Sequence, residues 1–262
     1  MKSVLITGAA GGMGAATAKL FASKGIKVFG LDINERSIDG VMMIRTDVTD
    51  GTSVRTAFER VKAETESLDA IIHFAGKYDL HSLVEMSEER FLSIFELNLF
   101  GIYRVNKEFL PLLSNGARII MTSSELAPLD PLPFTGVYAV TKAAIEKYAY
   151  SLRMEVQLLG IKVSVIRPGA VKTGLLDVSK AGLDRFCNET KLYPCNADRF
   201  RKIVDTVEAR NVPPERIAKT AFRAFDAKHP RYVYSVNRNP YLLLMNILPK
   251  RVQTGIIKLI LK

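Results

Sequence analysis

Short apolar runs alternate along the chain with longer amphipathic stretches. The runs at residues 3–6, 27–31, 41–44, 70–74, 118–121, 163–166 and 232–236 read as strands. They lack an in/out alternation, so both faces are expected to be buried, as in parallel sheets. Helical periodicity occupies 15–23, 53–66 and 137–159, and a long stretch from Ser87 to Leu113. Ser87 is a good N-cap, with Glu88 and Glu89 placed to meet the helix dipole, and Gly160 is a good C-cap for the 137–159 helix. Strands alternating with helices imply right-handed crossovers and a doubly wound α/β sheet. No repeat or linker interrupts the pattern, so residues 1–262 are expected to form one domain.

Composition narrows the class. With 262 residues, 48% hydrophobic and 24% charged, the chain can bury a core without metal or disulfide. Cys187 and Cys195 cannot form a framework and suit a reducing, cytoplasmic compartment. His73, His81 and His229 lie too far apart for metal-ligand spacing. The apolar run Val4-Leu5-Ile6 is too short for a signal core, and no stretch has the length of a membrane span. The net charge of +10 can attract an anionic partner. No basic helix with interleaved aromatics accompanies it, so nucleic acid is not expected.

The first strand runs into Thr7-Gly8-Ala9-Ala10-Gly11-Gly12-Met13-Gly14. A backbone that approaches a pyrophosphate closely tolerates few side chains, and the following helix offers free N–H groups and a positive dipole end. The context of strand, glycine turn and Ala-rich helix points to a dinucleotide. Asp32 ends the second strand, 18 residues after Gly14. A carboxylate there accepts from a ribose diol and repels a 2′-phosphate, so NAD is expected over NADP. Arg36 is the nearest downstream cation for a 2′-phosphate, and Asp47-Val48 is placed for an adenine contact or a turn.

Tyr138 and Lys142 stand one helical turn apart. A cation beside a phenol favours the phenolate and tunes it for proton exchange with an alcohol or carbonyl. Together, Thr7-Gly8-x-x-x-Gly12-x-Gly14, Asn98, Ser123-Ser124, Tyr138-x-x-x-Lys142 and Pro168-Gly169 resemble the short-chain dehydrogenase/reductase family, in its single-domain subgroup, over nearly the whole chain. The resemblance implies a Rossmann-type sheet of seven parallel strands, order 3-2-1-4-5-6-7, with helices on both faces. It also implies NAD(P)-dependent interconversion of a secondary alcohol and a ketone. Tyr138 then corresponds to the acid/base, and Lys142 to the residue that lowers its pKa and holds the nicotinamide ribose. Ser124 corresponds to the hydroxyl orienting the substrate oxygen, and Asn98 to the asparagine of the proton-relay water chain. Ala75-Gly76 resembles the cofactor-contacting end of the fourth strand. Pro168-Gly169-Ala170-Val171-Lys172-Thr173 resembles the nicotinamide loop, with Val171 on it and Thr173 near the carboxamide.

Two departures stand out. The fourth strand ends His73-Phe74-Ala75-Gly76, where the family usually carries Asn-Asn-Ala-Gly, so His73 is expected to replace a structural hydrogen bond. The serine-to-tyrosine interval is slightly long and holds Pro128, Pro131 and Pro133, which leaves open whether Ser123 or Ser124 faces the substrate, Ser124 being favoured.

Residues 174–212, with Leu175, Leu176, Leu183, Phe186, Tyr193 and Phe200, read as a helical substrate lid. Residues 240–262 read as two short apolar helices with basic flanks. Two readings stay open for them: docking on a membrane surface, or covering an apolar pocket or a dimer contact. Lid and tail suggest a bulky apolar substrate, as does the resemblance to steroid- and retinol-type members. The family's dimer interface maps to the two long helices, implying a homodimer or homotetramer. The rival readings are a non-catalytic, NAD-sensing or partner-binding member of the same fold, and a sugar-nucleotide epimerase, which would carry a larger carboxyl-terminal substrate domain.

Overall fold

The computed structural model describes residues 1–208 and 210–262, and their side chains apart from 175–179, 207 and 208. Seven strands form one sheet: β1 (Ser3–Thr7), β2 (Lys27–Asp32), β3 (Val41–Arg45), β4 (Leu68–His73), β5 (Leu113–Thr122), β6 (Lys162–Pro168) and β7 (Val233–Val236). All neighbouring pairs are parallel, in the order β3-β2-β1-β4-β5-β6-β7. The chain winds outward from β1 to β3, then returns to place β4 on the other side of β1. The crevice opened at that reversal, outside the carboxyl ends of the strands, is where doubly wound folds receive ligands.

Alternate strand residues feed opposite layers. Val4 and Ile6 pack with Phe21 of α1 (Gly12–Ser23) and Phe225 of α8 (Pro214–Asp226). Leu5 faces the other way, with Val54 of α2 (Gly51–Lys62) and Phe109 of α4 (Gly101–Phe109). Ile145 and Ala149 of α5 (Gly136–Val156) cover Ile119, Met121 and Val163. A sheet buried on both faces needs apolar side chains at every position, which is why its strands read as unbroken runs.

The element boundaries follow capping chemistry. Ser87 caps α3 (Glu88–Phe95), its Oγ accepting from the Arg90 N–H at 3.3 Å, and Gly160 closes the turn after α5. Helix α2 starts at Gly51 rather than 53, because the Asp50 carboxylate accepts from the Thr52 N–H at 2.9 Å. The stretch from Ser87 to Leu113 is not one uniform helix. A π-type turn over Glu96–Phe100 separates α3 from α4, and a 3-10 turn follows over Leu110–Leu112. A π turn adds one residue to a helical circuit, and periodicity does not register a single insertion. The expected lid forms α6 (Gly174–Glu189) and α7 (Pro194–Glu208), and the tail α9 (Pro240–Ile247) and α10 (Lys250–Leu261). The expectations for the Leu175 and Leu176 side chains fall outside the described side chains.

His73 takes the structural place expected of it. It is buried at the end of β4, and its Nε2–H donates to Asn106 Oδ1 at 2.9 Å. The Asn106 amide in turn donates to the Tyr148 hydroxyl at 3.2 Å. Burial lowers its pKa from 6.5 to about 4, the Asn106 bond opposing only in part. The unfolded chain therefore binds this proton first on acidification. Stability is present above pH 6.5 and is lost toward pH 4, by on the order of 3 kcal/mol. In urea unfolding, the stability of the wild type relative to His73→Gln is expected to fall by that amount over this interval; a constant difference would refute it.

Candidate active site

The glycine turn lies at the crevice between β1 and β4. A Cβ at Gly8, whose φ is +68°, would stand 2.6 Å from the Ala75 nitrogen, and one at Gly14 would stand 2.0 Å from the Gly8 carbonyl oxygen. Only glycine lets the turn close this tightly on β4 and on itself. Helix α1 has Gly11 at its N-cap and no side chain capping it. Its first N–H groups have no intrahelical acceptor, which suits an anion. They border a groove of about 470 Å³ that Gly8, Gly12, Met13 and Gly14 line together with Asp32, Asp47 and Val48. Ala75, Gly76 and Thr173 line it too.

Asp32 is at once a turn residue and a groove residue. Its Oδ2 accepts from the Ala10 N–H at 3.0 Å and its Oδ1 from the Asn34 N–H at 2.9 Å. Asp47 likewise caps its own turn, accepting from the Thr49 N–H and hydroxyl. Thr173, at the N-cap of α6, makes no capping bond; its side chain lies against Gly12. The groove also contains Ile33, Asn34 and Thr46, which motif spacing did not single out.

Met13 and Thr173 also line a second cavity, of about 130 Å³, with Ser124, Tyr138, Pro168, Gly169 and Val171. The two spaces therefore meet at Met13 and Thr173. The two serines have different surroundings. Ser123 Oγ donates to Glu146 Oε1 at 2.8 Å, toward α5, whereas Ser124 lines the cavity together with Tyr138. Glu146 also holds Arg167 through both carboxylate oxygens, fixing the ends of β5 and β6 to the middle of α5.

Asn98 is fully buried inside the π turn. Its Oδ1 accepts from the Lys77 N–H at 2.8 Å, and its amide donates to the Lys77 carbonyl and to Thr141 Oγ1. Arg90 grips Asp79 with two hydrogen bonds, so the loop after β4 is held twice. A Cβ at Gly76 would lie 3.1 Å from Asn98 Oδ1 and 3.7 Å from Lys142 Nζ, which places the asparagine and the ammonium beside one point of that loop.

Lys142 Nζ lies 5.5 Å from the Tyr138 ring centre and donates to the Thr122 carbonyl at 3.1 Å. Burial lowers the lysine from 10.5 to about 8. Burial pushes Tyr138 up to about 12, with the Ser124 hydrogen bond opposing and Glu125 adding to the rise. Burial, which disfavours the phenolate, thus sets the direction of the Tyr138 shift.

Two neighbours went unnoticed in the sequence. The Tyr78 ring packs edge-on to Tyr138, centroids 4.6 Å apart. Glu125 carries a carboxyl raised by burial, its Oε2 accepting from the Asn239 N–H at 2.6 Å. Glu125 directly follows Ser124, and an acid before Leu126-Ala127-Pro128 is the one signal that could have found it.

The parallel sheet, the reversal at β1 and the glycine groove define a Rossmann-type α/β protein. A family model described as short chain dehydrogenase matches residues 2–184, and the chain belongs to that family of oxidoreductases. It is 29% identical to a 3-ketodihydrosphingosine reductase of Bacteroides thetaiotaomicron, across 87% of this chain and 85% of that one. It is also 29% identical to estradiol 17-beta-dehydrogenase 2 of Mus musculus, across 92% of this chain and 69% of the other. Its fold matches the crystal structure of a 3-ketoacyl-(acyl-carrier-protein) reductase from Brucella melitensis complexed with NADH, with a TM-score of 0.73 at 20% identity, covering 90% and 96% of the two chains.

Lys142 gives a stability signature independent of any ligand. With its folded pKa near 8 against 10.5, the unfolded chain holds the proton longer, so stability rises with pH between those values. The wild type is expected to gain on the order of 3 kcal/mol relative to Lys142→Met from pH 8 to 10.5, read by urea unfolding; parallel pH curves would rule this out.

Proposed function

We propose that the protein is an NAD-dependent oxidoreductase that interconverts a secondary alcohol and a ketone on a bulky apolar substrate, with Tyr138 as acid/base. The observation that carries this is Ser124 and Tyr138 lining one apolar cavity that joins the glycine groove at Met13 and Thr173. The groove fits a dinucleotide: the uncapped start of α1 suits the pyrophosphate and Asp32 a ribose diol, with Asp47 and Val48 on the adenine side. Lys142 and Asn98 stand beside Gly76 for the second ribose, and Pro168, Gly169, Val171 and Thr173 border the ring end. A bound nicotinamide supplies the hydride acceptor or donor.

The remaining chemistry belongs to the chain. Ser124 Oγ holds the substrate oxygen, and Tyr138 Oη passes the proton to it or takes it away. Burial keeps Tyr138 as the neutral phenol, the form from which a proton passes to a carbonyl oxygen in reduction. The reductase among the relatives agrees with that direction, and the two relatives' named substrates are bulky and apolar. Helices α6 and α7 serve as lid. The exposed side chains of Tyr103, Tyr150 and Met154 support a dimer through α4 and α5, readable by sedimentation equilibrium.

Tyr138→Phe is expected to lower ketone reduction with NADH by about a thousandfold while leaving NADH binding, followed by fluorescence, nearly unchanged. In the wild type, alcohol oxidation should climb with pH as the phenol approaches its ionisation near 12, and ketone reduction should not. Retained turnover in the phenylalanine variant would remove the mechanism. Asp32→Ala is expected to raise the Michaelis constant for NAD about tenfold, the loss of a charge-assisted bond, and to relax discrimination against NADP; an unaltered preference between the two would refute the role of Asp32.

A further inference from the structure

Residues 240–262 contain four basic side chains and no acidic one. The tail helices bury only one side. In α10, Gln253 and Leu261 are buried, and Ile257 packs with Phe200 and Val204 of α7. The other side is apolar and exposed: Leu259 is 82% exposed, Ile247 79% and Leu244 62%. On α10, helical spacing sets Val252 and Leu259 on the face opposite the buried residues, with Arg251, Lys258 and Lys262 along its flank. Apolar side chains framed by cations, with no acid to repel an anionic surface, are the chemistry of an interfacial helix. Among the described residues no helix is long and apolar enough to cross a membrane, so such a contact would lie along the surface.

A second observation connects this face to the catalytic cavity. An apolar cleft of about 450 Å³ opens between α7, α9 and α10, bordered by Ile203, Tyr241, Met245, Ile257 and Ile260. It shares Leu132, Phe200, Ile203 and Leu242 with the cavity that holds Tyr138. A continuous apolar wall therefore runs from the tail to the phenol. The tail is tied to the proline loop beside that wall. The Asp130 N–H donates to Asn246 Oδ1, and the Asp130 carboxylate accepts from Gln253 and Lys250.

We infer that α9 and α10 seat the protein on an anionic lipid bilayer, and that the cleft between α7, α9 and α10 admits an alkyl-chain substrate from that bilayer to Tyr138. The second half rests on the oxidoreductase reading above; the first does not.

The test uses the full chain. It is sedimented with vesicles of phosphatidylcholine, with and without phosphatidylglycerol, and assayed on 3-ketodihydrosphingosine carried in the vesicles and on water-soluble cyclohexanone. Binding is expected on the anionic vesicles, to weaken with salt, and to drop about tenfold or more in Leu244→Asp/Leu259→Asp and in Arg251→Ser/Lys258→Ser/Lys262→Ser. Leu244 and Leu259 lie outside the cleft lining, so the first variant should keep its cyclohexanone turnover and lose about tenfold on the vesicle-borne ketone. A wild-type chain left in the supernatant at low salt, or variants that sediment as well as it does, would overturn the docking. So would a loss of oligomer mass in Leu244→Asp/Leu259→Asp, which would make this face a contact between copies. Equal loss on both ketones would overturn the port. Vesicle binding without turnover of any ketone would retire the oxidoreductase reading and leave the docking surface standing.

Discussion

Everything at the site depends on how closely the backbone at Gly8 approaches the end of β4. Phe74 and Ala75 leave no room for a side chain there, and Gly14 folds back onto the Gly8 carbonyl. That closeness sets where α1 starts, and so where its unpaired N–H groups point. It also sets the loop after β4 against Asn98 and Lys142. The topological reversal provides the crevice, and the glycines bring its two walls within reach of one extended ligand. A larger side chain at either position would separate the walls rather than fill a gap, because the opposing atoms are backbone and cannot rotate away.

The site then carries two buried ionisable groups whose burial works on them in opposite senses. Lys142 is pushed down and Tyr138 up, so each is nearer its neutral form than in water. The Lys142 ammonium donates to the Thr122 carbonyl, and it is burial that lowers its pKa. A dry, apolar cavity is costly for the phenolate and favourable for the phenol. The same apolar lining that shapes the cavity thus holds Tyr138 as the neutral phenol.

Much of this was legible in the sequence because the signals are local. Strand order follows from the family motifs, and unbroken apolar runs mark strands covered on both sides. The spacing of Tyr138 and Lys142 and the glycine turn each lie within one helix or one loop. What was not legible depends on tertiary burial or on single-residue changes of register. The π turn at Glu96–Phe100 leaves no periodic trace, yet Asn98 sits within it. Ser123 and Ser124 are chemically alike, and only the alternation of β5 against α5 and the cavity separates them. The direction of the Tyr138 shift reverses the sequence expectation because desolvation cannot be read from spacing. Tyr78 and Glu125 come to the site from loops whose course no local pattern dictates.

The proline loop shows how the apolar half of the molecule is held to the catalytic half. Phe134 adopts φ of 64°, a left-handed conformation that costs a non-glycine residue about 1–2 kcal/mol. It is offset by rings: Phe134 packs against Phe186 of α6, against Tyr193 and against Phe200 of α7, with centroids 4.8 to 5.3 Å apart. The peptide carbonyl of Phe134 accepts from the His81 N–H, tying the loop to the segment after β4. At its other end, Glu125 accepts from Asn239, the N-cap of α9. The residue after Ser124 is therefore bonded to the residue just before the tail, and Asp130 to α9 and α10. A displacement of the tail helices would be felt at Ser124 through backbone and hydrogen bonds, with no intervening flexible linker. The Ser124 segment and the tail helices are in this way joined through one loop and its hydrogen bonds, beside the wall that the two cavities share.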